Sequence, residues 1–197
     1  LDPAQGYPNT GYFCNDKVIK SEFYLTQKQP LLQNIIANQP SGSQNLCDTL
    51  DYTIFGQNYG TGLANNIKQR MTLPPSQFVI ASGMSELEWP SGSGNWVVIP
   101  DPILTGGMYE WNLSTNFKSG ILSDVSVTND SNKYNIRFRV LTGCPFTSGD
   151  QLTFDMTGEL LCGTYVKSDI VVSDPVIISG LPVSPTTTLI ATIEVDT

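Results

Sequence analysis

Residues 134–162 read YNIRFRVLTGCPFTSGDQLTFDMTGELLC, and this stretch decides the fold class. In its first half every second residue is large and apolar, and the residues between are Asn135, Arg137 and Arg139. A period of two places successive side chains on opposite faces of a β-strand. The first half is therefore predicted to be a strand with one buried and one solvated face. The apolar positions are Tyr134, Ile136, Phe138 and Val140.

The second half of the same stretch repeats the alternation. Leu152, Phe154 and Met156 are separated by single polar residues, and the connection between the halves contains Pro145 and Gly149. Two alternating runs joined by a short loop of this composition are typical of an antiparallel β-hairpin. We expect this hairpin to lie at the centre of a two-sheet sandwich.

Similar runs, bounded by turn residues, recur outward along the chain in both directions. About nine or ten short strands are predicted, which is typical of an all-β, immunoglobulin-like antiparallel β-sandwich. Residues 30–38 (PLLQNIIAN) differ, because their leucines and isoleucines recur four positions apart after a proline. That spacing predicts one short helical turn or two.

The chain of 197 residues is long enough for one domain with a sufficient core. Residues 1–46 are predicted to be an N-terminal segment that packs on the sandwich, with one strand and the short helix. Residues 47–180 are predicted to form the sandwich itself. Residues 181–197 begin with a Pro/Thr-rich stretch and are predicted to be a linker or edge strand that leads to a following module.

Composition narrows the class of protein further. Charged residues make up 14% of the chain, apolar residues 40%, and the net charge is −8. Nucleic-acid binding requires clustered cations and is therefore disfavoured. The chain contains no run of about 18 apolar residues, so direct membrane insertion is not expected. This balance is typical of a secreted, turn-rich protein at the cell surface.

The four cysteines are Cys14, Cys47, Cys144 and Cys162, without the C-x-x-C spacing of zinc or redox sites. Their even number predicts two disulfides in an oxidising compartment. If the strand after Cys47 and the strand before Cys144 run in the same direction, as B and F strands do in such sandwiches, Cys47–Cys162 and Cys14–Cys144 are favoured. The alternative is the sequential pairing, Cys14–Cys47 with Cys144–Cys162.

Catalytic and metal chemistry have little support in the residue types. The chain has no histidine, which excludes Ser/His/Asp and Cys/His nucleophile systems. Glu86 and Glu88 share one face of a predicted strand and are expected to be solvated, so no enzymatic activity is predicted. No cofactor is expected, although residues 124–130 faintly resemble a calcium loop, with Asp124 and Asp130 as candidate ligands.

Trp89 and Trp96 flank the Ser/Gly loop at residues 91–94. Aromatic rings exposed beside a flexible loop can stack on sugar rings, so both are candidate glycan-binding residues. The alternative, that their rings belong to the core, is favoured about two to one on general packing grounds. Trp111 lies inside an alternating run and is predicted to be a core residue.

Residues 47–75 (CDTLDYTIFGQNYGTGLANNIKQRMTLPP), followed by TGCPFTSGDQLTF and a closing VIISG, resemble the immunoglobulin-like conserved repeat module of large Bacteroidota cell-surface adhesins. The resemblance covers residues 47–180. It implies export by the type IX secretion system, as in gliding-motility adhesins, and a structural role in which neighbouring modules of the same chain are the partners. It also implies that Thr49, in the Asp-Thr-Leu triplet, is an O-glycosylation acceptor.

Three functions follow as hypotheses. The first is a structural or adhesive module of a secreted bacterial adhesin, acting as a rigid, disulfide-stabilised spacer or contact domain. The second is a carbohydrate-binding module that contacts surface glycans, or other cell-surface proteins, through an exposed tryptophan. The third is a self-assembling pilin-like or capsid subunit, for which residues 188–195 would provide an exposed apolar edge strand.

Overall fold

The computed structural model describes residues 28–45, 47–74, 78–142, 148–160 and 163–179. The one strand predicted in the N-terminal segment, at residues 17–26, lies outside these residues. The Pro/Thr-rich stretch at 181–187 and the edge strand predicted at 188–195 also lie outside them. In chain order the strands are β1 (Leu32–Asn38), β2 (Ser43–Gln44), β3 (Thr49–Asn58), β4 (Ala64–Thr72), β5 (Phe78–Ile80), β6 (Glu86–Glu88), β7 (Trp96–Val98), β8 (Ile103–Thr105), β9 (Met108–Asn112), β10 (Ile121–Leu122), β11 (Lys133–Thr142), β12 (Thr153–Glu159), β13 (Tyr165–Lys167), β14 (Val171–Val172) and β15 (Ile177–Ile178).

Two antiparallel sheets form the sandwich. The front sheet has the order β1-β3-β11-β6-β7, with β5 also paired to β11. The back sheet has the order β13-β12-β4-β9-β8, with β10 paired to β4 and β14 paired to β12. Strands β2 and β15 form a small parallel pair beside them. The prediction of an all-β, immunoglobulin-like sandwich is confirmed.

The core lies between the two sheets and is built by the alternating rows. All four apolar residues of the 134–140 run are at most 2% exposed, as are Leu152, Phe154 and Met156. Aromatic rings fill its centre, where the Tyr52 and Phe138 rings stack with centroids 5.7 Å apart. Trp111 is buried as predicted.

The predicted central hairpin is wrong. Strand β11 belongs to the front sheet and β12 to the back sheet, so the chain between them crosses from one sheet to the other. Strands β3 and β4 are related in the same way. Alternation marks which face of a strand is buried, and that face is the same whether the next strand pairs beside it or lies opposite across the core. The local pattern therefore cannot distinguish the two arrangements.

The predicted helix at residues 30–38 is also wrong, because this segment contains strand β1. It pairs antiparallel with β3, with Leu32 opposite Asn58. Leu32 is buried, whereas Leu31 and Ile35 are exposed, so the apolar stripe of a helix is not used. Backbone pairing with a long neighbouring strand overrides a weak local preference for helix. The short helical element lies instead at Lys118–Gly120, a 3-10 turn.

The premise behind the predicted disulfide pairing is wrong as well. Strands β3 and β11 are antiparallel neighbours, with Thr49 opposite Leu141. The backbone amide of Thr142 donates to the Asp48 carbonyl at 3.2 Å. Cys47 therefore lies at the same end of the sandwich as the end of β11. Cys14, Cys144 and Cys162 lie outside the described residues, and the pairing itself remains a prediction.

Within the described part of the chain, no helix has the length and apolar character needed to cross a membrane.

Candidate functional site

The outer face of the front sheet carries a groove of about 510 Å³, which we call the front-face groove. The alternation that buries one row of β11 points Arg137 and Arg139 outward into it. Pairing with β3 and β6 then places acidic residues of distant sequence beside these two cations. The groove is lined by Asn38, Asp51, Tyr52, Thr53, Gly83, Met84, Glu86, Val98, Arg137, Phe138 and Arg139.

Each cation in the front-face groove has a carboxylate partner. Arg139 Nε donates to Asp51 Oδ1 at 2.6 Å, and its Nη1 lies 3.8 Å from the Met84 sulfur. Arg137 Nε donates to Glu86 Oε2. The groove therefore presents two positive and two negative groups in fixed pairs, which suits a ligand that is neutral overall and rich in hydrogen-bonding groups.

Trp96 lies on β7 at the border of the front-face groove. Its ring is half-buried, and the Arg137 guanidinium sits 4.3 Å from the ring centroid. This is a cation–π contact, which orders both side chains. Of the two tryptophans predicted as glycan-binding residues, Trp96 is the one on an outer face.

Trp89 packs against the core instead. Its ring meets Phe117 edge-on at 5.3 Å between centroids, and its indole Nε1 donates to the Ser131 carbonyl at 3.0 Å. Trp89 is therefore a core-packing residue, as the alternative hypothesis stated. The structure does not bring Trp89 and Trp96 into one site.

Glu88 was expected to be solvated, and this expectation is wrong. The residue is 5% exposed, and its carboxylate accepts hydrogen bonds from Gly94 N at 2.6 Å and Asn135 Nδ2 at 2.7 Å. Burial pushes the pKa of Glu88 upward, but the hydrogen bonds from Asn135 and from the amides of Gly92 and Gly94 outweigh it, so the pKa lies below its ordinary value. Glu88 fixes the loop between β6 and β7, which positions Trp96.

Glu86 and Arg137, one ion pair of the front-face groove, both stay charged near neutral pH. The hydrogen bond from Arg137 holds the pKa of Glu86 below its ordinary value, and the same contact raises the pKa of Arg137. A general acid or base needs a pKa near the working pH. The groove can therefore bind a ligand through hydrogen bonds and ring contacts, but these groups are poorly suited to proton transfer.

The candidate calcium ligands each have a protein partner. Asp124 accepts hydrogen bonds from the amide and hydroxyl of Ser126, which lower its pKa. Asp130 pairs with Lys133 at 2.6 Å. No group of three or more His, Cys, Asp or Glu side chains placed to hold a metal ion occurs among the described residues. The calcium site remains a prediction.

Thr49 is the first residue of β3 and is exposed, so its hydroxyl is accessible. Its role as a glycosylation acceptor also remains a prediction.

Sequence reasoning missed Asp51 and Met84 as lining residues of the front-face groove. The sequence does show that Asp51, Arg137 and Arg139 occupy outward positions of alternating strands, which places them on the solvated face. Their proximity depends on the pairing of β3 with β11, because Asp51 and Arg139 are 88 positions apart.

No family model matches the chain, and no curated protein matches it. Among solved structures it is similar to a variant of BcpA, the major pilin subunit of Bacillus cereus, at 14% identity and a TM-score of 0.49, over 77% of this chain and 41% of that chain. It is also similar to the collagen-binding subdomain of the Enterococcus faecalis surface protein ACE, at 6% identity and a TM-score of 0.42, over 77% of this chain and 99% of that chain. A third similar structure is AvmM, which catalyzes macrocyclization in alchivemycin A biosynthesis, at 8% identity and a TM-score of 0.46, over 79% of this chain and 92% of that chain. The chain thus spans about two fifths of the pilin subunit's length, and these likenesses assign no function.

Proposed function

We propose that this chain is a structural and adhesive module of an exported bacterial surface protein, without enzymatic activity. The observation that carries the proposal is the front-face groove, whose two arginines are held in ion pairs with Asp51 and Glu86. The pKa of Glu86 is lowered, whereas a catalytic acid needs a raised one. A closely packed two-sheet sandwich is a rigid spacer, because its strands are held by backbone ladders on both sides of one core.

The finer assignment is a module of a large Bacteroidota adhesin of the gliding-motility, type IX secretion kind, with neighbouring modules as partners. The order of motifs in residues 47–180 supports it. Immunolabelling of intact cells of the source organism with an antibody against this module tests it, and surface labelling is expected. Labelling only after permeabilisation would contradict the proposal.

A second candidate function is glycan contact at the front-face groove. The paired Asp51 and Arg139 offer hydrogen bonds to hydroxyl groups, and Trp96 supplies an aromatic ring at the border of the groove. On a glycan array, Trp96→Ala is expected to lose the signals of the wild-type chain. Tyr165→Ala is the matched control, because Tyr165 is an exposed aromatic residue on β13 of the other sheet. Equal signals from both variants would contradict glycan contact at this groove.

A further inference from the structure

One side of the sandwich has two strand edges without a neighbour in the described chain. Strand β7 pairs with β6 and strand β8 pairs with β9, and neither has a partner on its outer side. On the opposite side, β1 contacts β12 and β14, and Asn34 Nδ2 lies 3.3 Å from Ser168 Oγ. Contacts between the sheets thus close that side.

The open side is apolar. Val97, Val98, Ile103 and Leu104 are 60%, 66%, 72% and 60% exposed, and we call these four residues the β7/β8 edge. Neither strand contains a charged residue. Monomeric proteins usually protect their edge strands with charges or cover them. An uncovered apolar edge of this kind is therefore typical of a site for an added strand.

Two residues of the β7/β8 edge belong to the core rows of their sheets. Val97 lies opposite the buried Leu87, and Leu104 lies opposite the partly buried Tyr109, which packs against the core. Both point to the inner side of their sheets and stay exposed because no further strand among the described residues covers them. A strand added there with its own apolar row turned inward would extend the core.

The chain itself contains a segment of the right pattern outside the described residues. Residues 188–195 (TLIATIEV) alternate apolar Leu189, Ala191, Ile193 and Val195 with other residues. An extended segment of this length spans about 26 Å, more than either three-residue edge strand requires.

Ser179 is the last described residue before this segment. The Ser179 amide donates to the Gln44 carbonyl at 2.9 Å, next to β2 and β15. Strand β2 follows β1, and three strands of the front sheet separate β1 from β7, a distance of about 19 Å. The eight residues 180–187 between Ser179 and the segment span about 26 Å when extended, which is long enough for the segment to reach a neighbouring molecule.

We infer that residues 188–195 of one copy add as a strand to the β7/β8 edge of a second copy. The donor segment and the acceptor edge are different stretches of the chain, so the contact is head-to-tail and can repeat from one copy to the next. This inference rests on the proposal that the chain is a structural surface module, but it concerns assembly in solution and is tested separately from cell-surface location.

The test uses the full chain and analytical ultracentrifugation over a range of concentrations. The wild-type chain is expected to form oligomers that grow with concentration, and more so at high salt, because the net charge of −8 opposes association. Leu104→Asp removes the acceptor and Ile193→Asp removes the donor, so each variant alone is expected to be monomeric. Ile170→Asp is the matched control, because Ile170 is also 60% exposed but lies away from this edge, and its oligomers should match the wild type.

A mixture of the two defective variants distinguishes this specific contact from non-specific association. Leu104→Asp chains keep the donor segment and Ile193→Asp chains keep the acceptor edge, so an equimolar mixture should form one-to-one dimers that do not extend. A monomeric wild-type chain would overturn the inference, whether the edge is covered by the chain's own segment or by an unrelated protein. Oligomers that persist in either variant would also overturn it. Surface labelling of cells would be unaffected by these outcomes.

Discussion

Two tyrosines show how single residues specify the core. Gly56 on β3 leaves room for the Tyr134 ring, and a Cβ at this position would overlap that ring. The Tyr134 hydroxyl lies 3.0 Å from Gln69 Oε1, so the buried polar atoms satisfy one another. Burial raises the pKa of Tyr134 well above its ordinary range and raises the pKa of Tyr52 to about 12. Both phenols must therefore remain neutral in the folded state.

The first prediction concerns alkaline stability and Tyr52. Below pH about 10 the Tyr52 phenol is neutral in both the folded and the unfolded state, so its burial costs no free energy of ionisation. Above it the unfolded chain releases the proton while the folded chain retains it up to pH about 12, so the free energy of unfolding falls. As the pH rises from about 9 to about 11, the free energy of unfolding should fall by about 1 kcal/mol less in Tyr52→Phe than in the wild type, as measured by urea unfolding. The exposed Tyr165→Phe should behave like the wild type, and an unchanged slope in Tyr52→Phe would refute the prediction.

The second prediction concerns Glu88. The pKa of Glu88 is lowered in the folded state. Its contribution to the free energy of unfolding is therefore present above pH about 4.5 and is lost as the pH falls through the pKa of the folded state. Glu88→Gln should lower the free energy of unfolding at neutral pH by about 1–3 kcal/mol, because the amides of Asn135 and Gly94 lose a charged acceptor. The difference from the wild type should shrink below pH about 4, as measured by urea unfolding. A constant difference at every pH would contradict this assignment.

At the scale of elements, one carboxylate ties three strands of the back sheet together. Asp155 on β12 accepts hydrogen bonds from Arg70 Nε at 2.6 Å and Arg70 Nη2 at 2.9 Å, and lies 3.0 Å from Lys167 Nζ. Arg70 is on β4 and Lys167 on β13, the two neighbours of β12. This contact explains why β12 buries residues on both faces, with Asp155 only 7% exposed.

The third prediction follows from this network. Asp155→Asn leaves the partly buried Arg70 without its charge partner and should lower the free energy of unfolding by about 3 kcal/mol. Asp130→Asn breaks the exposed pair with Lys133 and should change it by less than about 1 kcal/mol. Chemical denaturation of both variants measures the two values. Equal losses would show that burial of Asp155 has no energetic consequence.

The fourth prediction concerns the disulfides. In the antiparallel register of β3 and β11, residues 49 and 141 are opposite each other, and the Thr142 amide donates to the Asp48 carbonyl. Cys47 therefore lies beside the end of β11, and Cys144 follows Thr142 by two positions in the sequence. A disulfide needs Cα atoms within about 7 Å. Non-reducing peptide mapping of the exported protein is therefore expected to recover Cys47 linked to Cys144, in place of the Cys47–Cys162 pairing predicted from the sequence. Recovery of a peptide that joins Cys47 to Cys162 would contradict it.

At the scale of the whole molecule, the main pairings join distant parts of the chain. The β4–β12 contact between Arg70 and Asp155 spans 85 positions, and the β3–β11 contact between Asp51 and Arg139 spans 88. Forming such pairings requires closing long loops before any contact is gained. The fold therefore has a high contact order.

The fifth prediction follows from this topology. Refolding followed by tryptophan fluorescence should take milliseconds to seconds, as is typical of all-β domains. Stopped-flow dilution from denaturant measures it, and the buried Trp111 provides the signal. Refolding within microseconds would contradict the role assigned to long-range pairing.

The sequence was sufficient to predict the buried apolar rows of the long alternating strands, because alternation is a local property of an extended strand. Tyr134, Ile136 and Phe138 are buried for this reason, and the fold class follows from many such runs. The same local pattern could not predict that residues 30–38 contain a strand, since their pairing with β3 decides it. The burial of Glu88 also escaped prediction, because its partners come from β11 and from the loop after β6.

The sequence by itself determined the long alternating strands, their inward faces and an exterior with few charges, since these depend on residue type and a period of two. Only the tertiary structure decided that β11 pairs with β3 while β12 lies in the opposite sheet. That choice assembles the front-face groove and leaves the β7/β8 edge open. Strand partners far apart along the chain are selected by the packing of the complete core, and no local pattern contains that information.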